Sequence, residues 1–181
     1  MLVVINAVLF QIGWFACVLG AAYQLPWLGS LMAVAIVAYH LSRTLQLAQE
    51  LKLIALVVTA GFVWDSLQVT SGLLHYDSGL LHQSLAPYWI IAMWALFAST
   101  LNVSLKWMKG KYFIATLFGL VGGPLAFYGG YKLGAVTFSD TSIAMLALGV
   151  GWAFIMPLMM WLSHHYNGFT HQAEKLEVCD A

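Results

Sequence analysis

Six apolar segments of membrane-spanning length divide this chain, and they constrain its fold more than any other feature. A hydrocarbon core about 30 Å thick is crossed by about 20 residues of helix. Only α-helices and closed barrels satisfy every backbone hydrogen bond in lipid, and these segments have helical lengths. Composition agrees, because 62% of the 181 residues are apolar and 8% are charged, whereas a soluble domain is about a quarter charged. The predicted spans are residues 4–23, 26–42, 53–74, 87–105, 112–134 and 142–163.

These segments predict an all-α polytopic membrane protein, folded as a single bundle of six transmembrane helices. Residues 1–166 would form the six-helix transmembrane domain, and residues 167–181 a short polar cytoplasmic tail. The two cysteines, Cys17 and Cys179, fall in different environments and do not predict a disulfide. The net charge is zero, so no basic excess indicates a nucleic-acid partner.

The connections between the segments carry an uneven distribution of basic residues. Six of them fall on the side that holds both termini: Arg43, Lys52, Lys106, Lys109, Lys111 and Lys175. The opposite side has Lys132 alone. Because cytoplasmic loops carry an excess of Lys and Arg, both termini are predicted to lie in the cytoplasm.

The third segment carries one charged residue, Asp65, in the middle of an apolar run. A carboxylate at that depth costs on the order of a few kcal/mol, so Asp65 is expected to face protein or a wet cavity rather than lipid. Gly61, Asp65, Gln68 and Gly72 step by four, three and four residues, which places them on one helix face. No other segment has a Lys or Arg at this depth to pair with Asp65. Two interpretations follow: a proton-linked or ligand-binding carboxyl, or an anchor that joins helices by hydrogen bonds.

Three tryptophans, Trp14, Trp64 and Trp152, lie near the middle of their segments rather than at an interface. A buried indole N–H needs a hydrogen-bond acceptor, which favours a cluster with Gln11 and Asp65. Plain packing, or exposure of the rings to lipid, is the alternative interpretation.

The fifth segment is rich in glycine around Pro124. Its small residues recur every three or four positions, which lets a neighbouring backbone approach one face closely. They are Gly119, Gly123, Ala126, Gly130 and Gly134. Pro124 removes a helical hydrogen bond and is expected to kink the segment. A broken helix can offer backbone groups to a substrate, but close packing alone also explains the pattern.

The loop after the third segment holds three potential metal ligands, His75, Asp77 and His82. Their spacing matches no ordered metal motif, so a solvated loop is the favoured interpretation. No set of nucleophile, base and orienting residue is visible in the sequence. We therefore predict no catalytic residue, no metal site and no cofactor.

Four groups of residues form motifs along most of the chain. They are Asn6 with FQxGWF at 10–15, DSL at 65–67, PxW at 87–89 with Trp94, and GGPLAFYxGxxLGA at 122–135. In these motifs the chain resembles a family of uncharacterised bacterial inner-membrane proteins, domain of unknown function 2878. The resemblance implies a six-span protein of the bacterial inner membrane with unknown activity. The family is also associated with genes for cyclopropane-type fatty-acid modification, which implies a lipid setting but carries over no catalytic residue.

Three functional hypotheses follow. The first is a non-catalytic membrane pocket that binds or moves a small apolar or lipid-like molecule. In it Asp65 orients or proton-couples the ligand, Gln68 and Gln11 donate hydrogen bonds, Trp64 borders the site and Tyr128 caps its outer side. The alternatives are a membrane-embedded enzyme of lipid or fatty-acid modification, and a structural or assembly subunit of a membrane complex. The expected partners are the lipid bilayer, a lipid-like or apolar small molecule, and another membrane protein under the third hypothesis.

Overall fold

The structure of this protein is a computed structural model that describes residues 1–170. Within these residues the chain forms six α-helices, two very short strands and one short 3-10 helix. The helices are α1 (Leu2–Ala22), α2 (Pro26–Ser42), α3 (Leu47–Thr70), α4 (Tyr88–Leu101), α5 (Tyr112–Lys132) and α6 (Thr141–His165). The strands are β1 (Leu74–His75) and β2 (Thr137–Phe138), and the 3-10 helix is Lys106–Met108.

One end of the bundle, named here the ladder end, is closed by the two strands. β1 pairs antiparallel with β2, and Leu74 lies opposite Phe138. The loop that follows β1 reaches the end of α1, where the hydroxyl of Ser78 donates a hydrogen bond to the carbonyl of Ala21 at 2.9 Å. The connections after α1, α3 and α5 therefore meet at this end.

The opposite end, named the terminal end, is where α1 begins and α6 finishes. Asn6 in α1 joins this end to the last turn of α4. Its amide donates to the carbonyl of Ser99 at 3.1 Å, and its Oδ1 accepts from the backbone N–H of Ser104 at 3.3 Å. Such bonds are typical of polar residues that hold helices together inside a membrane protein.

The chain beyond α6 folds back onto α3 at the terminal end. The backbone N–H of Gly168 donates to a carboxylate oxygen of Glu50 at 3.0 Å. The first residues of the predicted tail are therefore packed on the bundle. The rest of that tail, 171–181 with Lys175 and Cys179, lies outside the described residues.

The prediction of an all-α fold with six helices is confirmed, and the number of membrane spans is a separate question. Four helices, α1, α3, α5 and α6, have 21 to 25 residues and are long and apolar enough to cross a membrane. α2 has 17 residues and α4 has 14. Residues 1–170 thus contain four candidate spans by length and composition, together with two shorter apolar helices.

α4 ends at Leu101, before the predicted boundary of 105. In its last turn the hydroxyls of Ser99 and Thr100 donate to backbone carbonyls three residues earlier. The chain then turns through Asn102, whose amide is held by Glu50 at 2.7 Å. Because this turn is buried in protein rather than exposed to water, hydropathy gives no sign of the helix end.

α4 lies at the centre of the bundle. Eight of its 14 residues are buried, and it packs against α1, α2 and α3. α1 and α2 form one close pair of helices, and α5 and α6 form another. The second pair meets the rest of the bundle mainly through α6, which contacts α3 and α4. This arrangement leaves space between α1 and α5.

Candidate ligand-binding site

A cavity of about 450 Å³ lies between the α5–α6 pair and the rest of the bundle. Its lining extends along α4 from Trp89 to Thr100 and along α5 from Phe118 to Gly130, a length of roughly 17 Å at the rise of an α-helix. Its volume falls within the range of roughly 300–1,000 Å³ found for small-molecule sites. Most of the lining side chains are apolar, so the cavity suits a long hydrocarbon group.

The cavity is open on the side of the bundle, between α1 and α5. Gln11 of α1, and Phe118 and Ala126 of α5, line the cavity and are also exposed. Nearer the ladder end the gap narrows, because a Cβ added to Gly129 would lie 3.3 Å from the ring of Trp14. The opening therefore lies on the side of the bundle, in the gap between α1 and α5.

Asp65 is part of the cavity wall and has 1% of its surface exposed. Its Oδ2 accepts a hydrogen bond from Nε1 of Trp94 at 2.5 Å. Its Oδ1 is buried and has no hydrogen-bond partner among the described residues. Gly61 and Gln68 are buried on the same helix, as their spacing predicted, whereas Gly72 follows the end of α3 with a φ of 74°. The prediction that Asp65 faces protein rather than lipid is confirmed.

Two stacked indoles stand beside Asp65. The rings of Trp94 and Trp152 are parallel within 5°, with centroids 5.1 Å apart. Each ring lies directly against glycine. A Cβ on Gly61 would be 1.9 Å from the ring of Trp94, and a Cβ on Gly123 would be 2.2 Å from that of Trp152. Gly119 likewise allows the backbone carbonyl of Trp152 to approach α5 closely, so the predicted small-residue face of α5 packs against α6 at Gly119 and Gly123.

Three residues of the cavity wall carry buried polar atoms without a hydrogen-bond partner among the described residues. They are Oδ1 of Asp65, the hydroxyl of Tyr76 and Nε1 of Trp152. A buried polar group left unpaired costs about 1–3 kcal/mol. Burial, together with the nearby carboxylate of Asp65, raises the pKa of Tyr76 well above its usual value, which keeps its phenol neutral. These atoms are places where a ligand or water can form a hydrogen bond.

Two of the five residues predicted for the site line this cavity, Asp65 and Gln11. They lie on different walls, since Asp65 belongs to α3 and Gln11 to α1. The side-chain amide of Gln11 is exposed and forms no hydrogen bond with another described residue. Trp14 and Trp152, which we expected near these two, line the same cavity.

The other three predicted residues lie outside the cavity lining. Trp64 packs against Gly151 of α6, where an added Cβ would be 2.0 Å from its ring. Gln68 is buried on α3 with its Oε1 unpaired among the described residues. Tyr128 has 37% of its surface exposed, and its ring centroid is 5.2 Å from Nζ of Lys132. None of these three residues lines the cavity with Asp65.

An aromatic wall surrounds the cavity, and most of it was missed by the sequence analysis. Its nine members are Phe10, Trp14, Tyr76, Trp89, Trp94, Phe97, Phe118, Phe127 and Trp152. The positions of Asp65 and Trp94 in their helices could have predicted that Trp94 lies near Asp65. Asp65 lies five residues before the end of α3, and Trp94 lies six residues after the start of α4. Both are therefore at about the same depth, roughly 8 Å from the ladder-end termini of their helices.

A second buried carboxylate, Glu50, lies at the terminal end and was not predicted. Its Oε1 is 2.8 Å from Nε2 of His40, and its Oε2 accepts from the amide of Asn102 at 2.7 Å and from the backbone N–H of Gly168. Nζ of Lys109 donates to Oδ1 of Asn102 at 2.5 Å and extends this network. We name these five residues the terminal network. Because Glu50 is fully buried and hydrogen-bonded on both oxygens, its role is to hold helix ends together.

The spacing of buried residues on α3 contains the signal for Glu50. Glu50, Leu53, Val57, Gly61 and Asp65 are all buried and step by three or four residues. The face that carries Asp65 therefore continues towards the terminal end beyond the apolar run. Glu50 was not predicted as part of this face because the residues before 53 were predicted to form a loop.

The histidine loop at the ladder end forms ordinary hydrogen bonds. Nε2 of His75 lies 2.7 Å from the hydroxyl of Ser139, and Nδ1 of His82 accepts from the backbone N–H of Ser84 at 3.2 Å. Within the described part of the chain, no group of three His, Cys, Asp or Glu side chains is placed to hold a metal ion.

Comparison with known proteins gives one informative result. No curated protein and no solved structure matches the chain. One family model, described as a protein of unknown function (DUF2878), matches residues 3–158. The match runs from the start of α1 into α6 and includes every element that lines the cavity. The resemblance found in the sequence motifs is therefore confirmed, and this chain belongs to the DUF2878 family.

Proposed function

We propose that this protein is a non-catalytic membrane pocket that binds or moves a small apolar or lipid-like molecule. The observation that carries the proposal is the side-opening cavity, which is apolar along its length and has Asp65 in its wall. Asp65 is the key polar group, because its Oδ1 remains available to a ligand. Gln11 supplies a second hydrogen-bonding group at the opening.

The physics of lipid supports a role for the polar groups in selecting a ligand. A hydrocarbon chain that moves from a bilayer into this cavity gains nothing from the hydrophobic effect, because both surroundings are apolar. Selection must then come from shape and from hydrogen bonds to a polar group of the ligand. A cavity with few polar atoms, three of which have no hydrogen-bond partner among the described residues, fits this requirement.

In this proposal all six helices cross the bacterial inner membrane, and the terminal end faces the cytoplasm. Basic side chains support the orientation, since Arg43, Lys52 and the three lysines of 106–111 lie at the terminal end, against Lys132 at the ladder end. α2 and α4 extend roughly 26 and 21 Å, less than a hydrocarbon core of about 30 Å. Because protein surrounds α4, it does not need to reach both interfaces by itself.

The test is to fill the cavity from α5. Gly122 lines the cavity, and a Cβ added there would meet only the ring of Phe118, at 3.6 Å. We expect Gly122→Leu to place its side chain in the cavity and to weaken the binding of dodecanol to protein in nanodiscs by roughly tenfold. Binding is measured with radiolabelled dodecanol, after subtraction of the uptake by empty nanodiscs.

The matched control is Val121→Leu, which adds apolar volume at the neighbouring exposed position outside the lining. It should bind dodecanol like the unmodified protein. Two results would overturn the proposal: no binding above the empty nanodiscs of dodecanol or of an amine or acid with the same chain, or equal binding of dodecanol by Gly122→Leu and Val121→Leu.

The structural-subunit hypothesis predicted Asp65 at a contact with another protein. Inside this single chain, Asp65 has 1% of its surface exposed and already bonds to Trp94. A partner could reach it only through the cavity. This placement favours a small ligand over a protein surface as the group that Asp65 meets.

A further inference from the structure

The described cavity wall has one carboxyl group and no basic side chain beside it. Among the described residues that line it, Asp65 is the one carboxyl, and none is Lys, Arg or His. Trp94 donates a neutral hydrogen bond to Oδ2, while Oδ1 has no partner in the described part of the chain. A carboxylate in such a site is strongly stabilised by a cation brought from outside.

The aromatic wall also attracts a positively charged group. Nine aromatic residues line the cavity, and ring faces carry the negative part of the π-system. Trp94 and Trp152 stack on each other, and Gly61 and Gly123 lie against their rings, so these two indoles offer a cation little free ring face. The other aromatic side chains of the wall can attract a desolvated cation through their ring faces. The rings and Asp65 therefore favour a positive head group together.

Other head groups use this site less well. A carboxylate ligand would approach Asp65 with no cation on the described lining to offset the repulsion. An alcohol can donate one hydrogen bond to Oδ1 but gains little from the ring faces. An ammonium group has three donors, enough for Oδ1 of Asp65 and for the hydroxyl oxygen of Tyr76, and it also carries the charge that the rings attract.

We propose that the cavity selects single-chain amphiphiles with an ammonium head, which binds at Asp65 while the alkyl chain lies along α5 beside Gly122 and Ala126. This inference rests on the proposed function and names the ligand class for the same site. Trp152 keeps an indole N–H that needs an oxygen acceptor, so a hydroxyl beside the ammonium group adds a further hydrogen bond.

The experiment compares dodecylamine, dodecanol and dodecanoic acid, which share one chain, on the full-length protein in nanodiscs of neutral lipid. We expect dodecylamine to bind roughly tenfold more tightly than dodecanol, and dodecanoic acid to bind most weakly. Asp65→Asn should remove the preference for the amine, so that dodecylamine and dodecanol bind to this variant within about threefold of each other. Uptake by empty nanodiscs is subtracted for each ligand.

The inference and the proposed function fail in different ways. If dodecanol binds and Gly122→Leu weakens it, but dodecylamine binds no more tightly, the inference is wrong and the proposed function stands. A preference for the amine that survives in Asp65→Asn also overturns the inference. If none of the three ligands binds above the empty nanodiscs, the proposed function itself is wrong. A circular-dichroism melting curve of Asp65→Asn that matches the unmodified protein shows that its fold is intact.

Discussion

Two buried carboxyl groups on one face of α3 differ in how many of their oxygens form hydrogen bonds. Glu50 accepts hydrogen bonds on both oxygens, from Asn102 and Gly168 on one and with His40 on the other. Asp65 has one oxygen beside the cavity that forms no hydrogen bond with any residue of 1–170. A fully bonded carboxyl holds structure in place, since its capacity is used up within the protein. A carboxyl group with one unbonded oxygen next to a cavity can still accept a hydrogen bond from a ligand.

The terminal network gives a prediction at the level of one residue. Glu50→Ala leaves the amide of Asn102, the N–H of Gly168 and the ring of His40 without their acceptor in a buried place. Each buried polar group that is left without a hydrogen-bond partner costs about 1–3 kcal/mol. We therefore expect a clearly lower Tm in detergent, measured by circular dichroism. Lys52→Ala, an exposed change two residues away, should melt like the unmodified protein, and equal melting of both variants would contradict the structural role.

At the scale of elements, α3 and α4 pack closely because the residue of α3 at their contact is a glycine. Gly61 lies under the ring of Trp94, which in turn donates to Asp65. Four residues separate Gly61 from Asp65, so one face of α3 supplies both the space for the indole and its acceptor. The position of the central helix α4 and the geometry of the site are therefore set by the same contact.

Gly61→Ala tests this contact. In an exposed helix, replacing Gly by Ala stabilises by about 1 kcal/mol. Here the new Cβ would stand 1.9 Å from the Trp94 ring, and forced overpacking costs about 1–3 kcal/mol. We expect a net loss of stability and a shift of tryptophan emission as the bond to Asp65 is lost. Gly122→Ala is the control, because its Cβ has room, and it should be neutral or slightly stabilising.

Helix number and type were predictable from the sequence because apolar runs and polar connections alternate clearly. Helix ends inside the protein were not, as α4 shows by stopping at Leu101 in a buried turn. Asp65 and Gln11 were found because polar residues are conspicuous in apolar segments. The aromatic wall was missed because Trp94 and Tyr76 become neighbours of Asp65 only through the packing of separate elements, which one sequence does not record.

On the scale of the whole molecule, the two ends differ in how they hold the helices. The terminal end has the terminal network, in which Lys109 also donates to the carbonyl of Ser163 at 2.9 Å, joining α6 to the connection before α5. The ladder end has the β1–β2 pair and its loop hydrogen bonds. Between the ends, α1 and α5 leave the side of the cavity open.

Cysteine labelling decides both the orientation and the number of spans. If six helices cross with the terminal end in the cytoplasm, Tyr23→Cys and Leu81→Cys at the ladder end react with a membrane-impermeant maleimide in intact spheroplasts. Ser42→Cys and Trp107→Cys at the terminal end should react only after permeabilisation. These four positions are exposed and flank both short helices, so each crossing by α2 and α4 is tested at its two ends.

The native thiols do not obscure this result. Cys17 is fully buried, and Cys179 is replaced by serine in every variant. If labelling at Ser42→Cys matches that at Tyr23→Cys in intact spheroplasts, α2 does not cross, because one side of the membrane then holds both of its ends. The same comparison between Leu81→Cys and Trp107→Cys shows whether α4 crosses the membrane. Labelling of the terminal-end pair alone would reverse the orientation, and the rule that places basic connections in the cytoplasm would fail for this chain.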